Sequence, residues 1–269
     1  VLWRIIAVLL GLAAGQANAA ERFEVAAGAW LALPPPGWDG QSRLPVTLFL
    51  HGAGGTASDI VDDADLREAF AGDGVLLVAP EGLNRRWGPP GSPPEGIRDE
   101  TTFLDSVLES VARHYPVDPA RIRIAGFSLG ASQALAYACA RGPRVQAVLT
   151  VAGVFWKPMP ATCPGGPTNW LHIHGEADPT WPLAGRMIFG RFLQGDAVGS
   201  LEVVRRAWHC AGVVPAGRLG DTVCESHPAC AGGHEVKVCM HPGGHDLEAS
   251  WISAFHRWAE TISANRPPR

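Results

Sequence analysis

Short, continuously apolar runs alternate along the chain with longer stretches whose apolar residues recur every three or four positions. The runs are "RFEVAAGAWLAL" (22–33), "PVTLFLHG" (45–52), "GVLLVAPEG" (74–82), "RIRIAGF" (121–127), "VQAVLTVAG" (145–153), "WLHIHG" (170–175) and "EVKVCMH" (235–241). Runs without polar alternation suit strands buried on both faces, as in a parallel sheet between helix layers. The stretch 99–115 places Phe103, Leu104, Val107, Leu108 and Val111 on one helical stripe. Helical patterns also occupy roughly 57–70, 130–141, 182–194 and 247–263. This alternation predicts an α/β fold: a mostly parallel central sheet with helices on both faces. Neither an internal repeat nor an interdomain linker is visible, so residues 20–269 read as one domain. The Pro/Gly-rich segment "RRWGPPGSPPEG" (85–96) leaves the end of a predicted strand. Loops at that end of an open α/β sheet surround the ligand site. Trp87 is therefore a candidate substrate contact, or else part of an ordered surface loop.

The N-terminal segment departs from this pattern. Arg4 precedes an apolar run from Ile5 to about Gly15, followed by Ala17-Asn18-Ala19. Small residues at those two alanine positions suit a signal peptidase, and the run is short of the roughly 20 residues a membrane span needs. Residues 1–19 read as a secretory leader, leaving no stable membrane span after cleavage. The expected location is extracellular or periplasmic. An oxidising compartment makes disulfides the first reading of the six cysteines, Cys139, Cys163, Cys210, Cys224, Cys230 and Cys239. The formal charge of −4, with no basic patch or tail, excludes nucleic acid as the expected partner.

The candidate chemistry begins at Gly126-Phe127-Ser128-Leu129-Gly130. Gly-x-Ser-x-Gly arises readily by chance, so its context matters: a β-rich run precedes it and an Ala-rich helical run follows. A tight strand-to-helix turn would hold Ser128 in strained geometry, and glycines on either side avoid clashes there. The alternative is a buried serine that caps a helix. Upstream, His51-Gly52-Ala53-Gly54-Gly55 follows an apolar strand and suits a loop whose backbone approaches a substrate closely. A Walker-type phosphate loop would need a Gly-Lys-Ser/Thr ending, which is absent. The backbone N–H groups of Ala53 and Leu129 are the expected oxyanion donors.

Downstream of the serine, "WLHIHGEADPTWPL" offers Asp178 as the acid, with Glu176 as fallback. His172 and His174 share one strand face. They read as structural hydrogen-bonding residues more readily than as metal ligands. Among the later histidines, His245 follows Gly243-Gly244 directly after the last strand and is the preferred general base, with His241 second. Trp181, just past the acid, is a second candidate substrate contact or else a core residue.

Taken together, "LFLHGAGG", "DETTFLDSVLESVARHYPVDPARIRIAGFSLGAS", "HIHGEADPTWP" and "VKVCMHPGGHD" resemble the α/β-hydrolase superfamily. More narrowly, they resemble the secreted polyhydroxybutyrate depolymerase and feruloyl esterase-like family. The resemblance spans nearly all of residues 20–269. It implies an α/β-hydrolase fold, a Ser128–Asp178–His245 triad, an oxyanion loop at His51–Gly55 and no cofactor. It departs after His245, where Asp246-Leu247-Glu248 stands in place of the Trp-Pro that the family often carries. The expected function is a secreted serine esterase acting on hydroxyalkanoate oligomers or polyesters, or on feruloyl-type aryl esters. A serine peptidase, an acyltransferase and a non-catalytic binding protein on the same scaffold are the competing readings.

The densest cluster of cysteines and histidines, "CESHPACAGGHEVKVCMHPGGHD" (224–246), lacks the paired Cys-x₂₋₄-Cys spacing of a zinc site. The expectation is no metal, and disulfides Cys210–Cys230, Cys224–Cys239 and Cys139–Cys163. The first two pairs are one of three connectivities open to their four cysteines.

Overall fold

The computed structural model describes residues 19–93 and 98–264. All but the last residue of the expected leader lies outside that range. The chain opens with an antiparallel hairpin, β1 (Glu21–Val25) and β2 (Gly28–Leu33), and continues into β3 (Leu44–Leu50). Helices α1 (Ala57–Asp62) and α2 (Ala64–Gly72), strand β4 (Leu76–Pro80) and helix α3 (Glu100–His114) follow. Next come β5 (Val117–Phe127), α4 (Leu129–Arg141), β6 (Ala147–Val151), the short β7 (Trp156–Lys157) and β8 (Asn169–Gly175). A small hairpin, β9 (Met187–Ile188) and β10 (Phe192–Gln194), precedes α5 (Ala197–Ala207). The last elements are β11 (Val214–Leu219), β12 (Thr222–Cys230), β13 (His234–His241) and α6 (Ala249–Ala264).

Ten strands form one sheet in the order β1-β2-β4-β3-β5-β6-β8-β13-β12-β11. The six central strands, β4 to β13, run parallel, and antiparallel pairs close both edges. Helices cover both faces. Phe103 and Leu104 of α3, Leu135 of α4 and Val203 and Val204 of α5 join one apolar core. Ile60 of α1, Phe70 of α2 and Trp251 and Phe255 of α6 join the other. The mostly parallel sheet with helices on both faces, expected from the alternation, is present, as the resemblance to the α/β-hydrolase superfamily also implied.

Three stretches differ from the sequence expectation. Residues 182–194 form turns and the β9–β10 hairpin, not a helix. Gly185, Phe189 and Gly190 all take positive φ, which no right-handed helix tolerates. The helix lies just beyond, in α5, where Asp196 accepts a hydrogen bond from the Gly199 amide and caps it. Residues 214–230 add two strands, joined through the two-residue Gly220-Asp221 turn. Disulfides join Cys139–Cys163, Cys210–Cys230 and Cys224–Cys239, the last across directly paired residues of β12 and β13. Among the described residues no helix is long and apolar enough to cross a membrane.

Candidate active site

The turn from β5 into α4 is the most constrained backbone in the molecule's centre. Ser128 sits at φ 56°, ψ −119°, a conformation that costs a non-glycine residue about 1–3 kcal/mol. Its flanking glycines are sterically required. A Cβ on Gly126 would lie 2.4 Å from the Gly130 carbonyl, and one on Gly130 would lie 2.1 Å from the Leu50 oxygen. Gly153 plays the same part below, where a Cβ would meet the Ser128 oxygen at 2.1 Å. The Ser128 amide donates to the Val151 carbonyl at 2.8 Å, fixing the turn to β6. Thr56, Asp63, Asp99 and Asp196 cap α1, α2, α3 and α5 through their side chains, whereas the Ser128 side chain makes no capping bond to α4. The reading of Ser128 as a helix cap is therefore set aside. The first α4 amides, beginning with Leu129, stand at the positive end of the helix.

The His51–Gly55 loop lies beside this turn, since a Cβ on Gly52 would be 3.6 Å from the Ser128 Cβ. His51 is buried and shapes the loop: its Nδ1–H donates to the Gly52 carbonyl at 2.8 Å, and its Nε2 accepts the Gly82 amide at 3.0 Å. Burial holds its pKa below 6.5, consistent with that neutral tautomer. The Gly54 and Gly55 amides are engaged by the Arg85 and Gly52 carbonyls. Ala53 is exposed at the loop's tip.

Trp87 does not line the cleft. It is fully buried behind the loop, and its indole N–H donates to the His51 carbonyl at 2.9 Å. The expectation of a substrate contact is corrected: an aromatic residue in a Pro/Gly loop can brace the backbone from the core side as well as face solvent. Trp181 needs the same correction. It is 1% exposed, its indole donates to the Gly195 carbonyl at 3.1 Å, and it packs edge-on against Trp156.

Asp178 and His245, the expected acid and base, meet in the loops that follow β8 and β13. Asp178 has a fully buried side chain, and its Oδ2 accepts from His245 Nδ1 at 2.7 Å. Its other oxygen accepts the Thr180 and Trp181 amides at 2.7 and 2.8 Å, which fixes the carboxylate plane. Glu176 lies exposed at the same turn. The two loops touch so closely that a Cβ on Gly175 would be 2.1 Å from the Gly244 oxygen. The Glu176 and Ala177 amides donate to the His241 and Gly243 carbonyls. Asp246, where the resembled family often has Trp-Pro, accepts the Gly244 amide at 2.8 Å and tightens the turn carrying His245. The His245 ring lies 4.8 Å from that of Phe127, the residue before Ser128. His241 is buried, accepts the Gly243 amide on Nδ1 and packs on Trp251, so it supports the turn.

His172 and His174 form part of a directed chain that leads to the turn carrying Asp178. The Trp181 carbonyl can only accept, so His174 Nε2 donates to it at 2.7 Å. His174 Nδ1 then accepts from His172 Nε2 at 3.1 Å, and His172 Nδ1 accepts from the Thr150 hydroxyl at 2.8 Å. Thr150 in turn accepts the Trp170 indole N–H at 2.7 Å. Both histidines are neutral in this chain, and burial pushes both pKa values down, His172 well below 6.5. Spacing alone suggested structural histidines, but their place under the Asp178 turn depends on strand pairing that the sequence does not display. Among the described residues no group of three or more His, Cys, Asp or Glu is placed to hold a metal ion.

A family model described as "Alpha/beta hydrolase family" matches residues 47–266. The chain is 28% identical over 220 residues to a protein named feruloyl esterase C from Emericella nidulans, covering 79% of this chain and 74% of that one. Among solved structures, an acetyl xylan esterase from Aspergillus awamori superposes with a TM-score of 0.62 at 9% identity, over 90% of this chain and 99% of that one. A ferulic acid esterase from Anaeromyces mucronatus superposes with a TM-score of 0.57 at 15% identity, over 90% of each chain. At these identities the structural likeness is one of fold.

Proposed function

The chain belongs to the alpha/beta hydrolase family, and on that premise we propose that it is a secreted serine esterase acting on feruloyl-type aryl esters. The observation that carries this reading is the 2.7 Å Asp178–His245 pair, its imidazole 4.8 Å from the ring of Phe127, which precedes a serine held at positive φ on an uncapped helix start. In this reading Ser128 Oγ bonds to the ester carbonyl carbon as His245 Nε2 takes the hydroxyl proton. The carbonyl oxygen becomes an oxyanion facing the Ala53 and Leu129 amides. The C–O bond to the alcohol breaks, and His245 returns the proton to the departing oxygen. Water, activated by the same imidazole, then releases the acid and regenerates Ser128. Asp178 holds the His245 tautomer and stabilises the imidazolium. No cofactor is used.

The ester class is supported by the relative named feruloyl esterase C. Secretion is supported by the Ala17-Asn18-Ala19 leader and the three disulfides. The test is hydrolysis of p-nitrophenyl acetate and methyl ferulate by wild type and Ser128→Ala. Wild-type turnover that Ser128→Ala abolishes supports the reading; equal rates in the two proteins overturn it.

A further inference from the structure

Two central strands carry polar side chains where their neighbours are apolar. Thr150 of β6 and His172 and His174 of β8 are all buried, and Thr150 pairs directly with His172. The alternate residues of β8, Leu171 and Ile173, belong to an apolar core. Three buried polar groups in a sheet cost free energy that apolar residues of similar size would avoid, unless every group is paired. Here each one is. The chain runs in one direction, from the donor-only Trp170 indole through Thr150 and His172 to His174 Nε2–H. None of these four side chains leaves a buried nitrogen or oxygen unpaired.

The chain ends on Trp181, and Trp181 is what holds Asp178. The Trp181 carbonyl accepts from His174 Nε2 at 2.7 Å, and the amide of the same residue donates to Asp178 Oδ1 at 2.8 Å. The indole is tied separately, to the Gly195 carbonyl. His174 Nε2 also lies 3.7 Å from Asp178 Oδ2, beyond hydrogen-bond reach, and that oxygen meets His245 Nδ1 at 2.7 Å. The ring therefore secures the residue that binds one carboxylate oxygen and leaves the other to His245. The titratable groups that face His174 are His172, Asp178, His245 and His241. A charged His174 would compete with His245 for Oδ2. Burial keeps it neutral, and its Nδ1 is occupied by the His172 N–H.

Resting on the esterase reading above, we propose that His174 is a positioning residue for the acid–base pair. Its N–H, aimed by the Thr150–His172 chain, fixes the Trp181 backbone and thereby the Asp178 carboxylate that holds the His245 ring. His174 acts through Asp178 and touches no substrate.

The experiment compares His174→Leu with His174→Gln. A glutamine amide offers an N–H to the Trp181 carbonyl and a carbonyl oxygen to the His172 N–H, so it can serve both partners, and leucine serves neither. On p-nitrophenyl acetate, His174→Leu should lower kcat by about a hundredfold with KM within about twofold, as a displaced catalytic group implies. His174→Gln should recover most of that loss. Thr150→Val, which removes the hydroxyl from the far end of the chain, should lower kcat by about fivefold, and Thr150→Ser should restore it. Proton NMR reads the same geometry without turnover. The Nδ1–H protons of His245 and His256, each held on a carboxylate, should both resonate far downfield, and His245→Gln identifies the first. In His174→Leu the His245 signal should shift or vanish while the His256 signal stays in place.

An unchanged kcat and His245 signal in folded His174→Leu would overturn the proposal. So would a loss in His174→Gln as large as that in His174→Leu, or a rise in KM at constant kcat. If His174→Leu does not fold, equal kcat in Thr150→Val and wild type would overturn it. Failure of wild type to hydrolyse p-nitrophenyl acetate would instead strike the esterase reading, and the two NMR signals would still decide what His174 positions.

Discussion

Two Asp–His pairs of nearly the same geometry lie in different settings, one in the loops beyond β8 and β13 and one on α6. His245 Nδ1 meets Asp178 Oδ2 at 2.7 Å, and His256 Nδ1 meets Asp73 Oδ2 at 2.8 Å. The second pair even has a hydroxyl at its far end, with Thr47 Oγ1 3.1 Å from His256 Nε2. Since the carboxylate can only accept, His256 Nδ1 carries the proton and Nε2 accepts from Thr47. Read as a list of residues, Thr47–His256–Asp73 matches a hydrolytic triad. What differs is the setting. Thr47 is fully buried in the middle of a strand, and His256 is 2% exposed beneath α6. Ser128 is half-buried at a strained turn, next to a glycine loop and an uncapped helix start, and the His245 side chain keeps 16% of its surface open. A hydrogen-bonded chain of the right types orients a proton. Substrate access and backbone donors for an oxyanion are what a hydrolytic site needs beyond such a chain; under the proposed mechanism Ser128 has both, and the pair on α6 only anchors.

Mutating the two pairs in parallel should separate these roles. Asp178→Asn should lower kcat by about 10⁴-fold through loss of the histidine tautomer, with the thermal midpoint far less affected. The equivalent change at the other pair, Asp73→Asn, should leave kcat within about twofold while costing about 2 kcal/mol in urea unfolding, because it removes a largely buried hydrogen bond from neutral His256 to a charged carboxylate. Stability should also fall with acid in a defined window. Burial depresses the folded pKa of His51, His172, His174 and His256 below their ordinary 6.5. Below pH 6.5 the unfolded chain therefore binds protons that the native state refuses. Each histidine's contribution is intact above that pH and is lost as pH falls toward its folded pKa, by up to about 1.4 kcal/mol per pH unit. Urea titrations from pH 8 to pH 5 should show this slope, and His256→Gln should flatten it. The smallest expected effect is that of Thr47→Val, which removes the donor to His256 Nε2 and should cost about 1 kcal/mol without changing kcat. A large loss of kcat in Asp73→Asn or Thr47→Val, with the protein still folded, would break the distinction between the two pairs.

The central sheet was legible because each parallel strand is a continuous apolar run, and being buried on both faces leaves no alternation to misread. The turn at Ser128 was legible for a related reason, since Gly126 and Gly130 abut neighbouring backbone and no larger residue fits. The segment 182–194 misled because its apolar residues have helical spacing, while Gly185 and Gly190, the residues that break the helix, count for little in a periodicity. Trp87 and Trp181 were misplaced for a different reason. Their places near the His51–Gly55 loop and Asp178 follow from the chain order, but which side of a loop an indole packs on depends on contacts distant in sequence. The same holds for Thr47 and Asp73, separated from His256 by 209 and 183 residues.

The most direct test of the account is to treat the enzyme with a p-nitrophenyl phosphonate ester and map the modified peptide by mass spectrometry. The account predicts a single adduct on Ser128, accumulating in step with the loss of esterase activity. An adduct on another residue that tracks the loss, or full activity in protein whose Ser128 is completely modified, would contradict it.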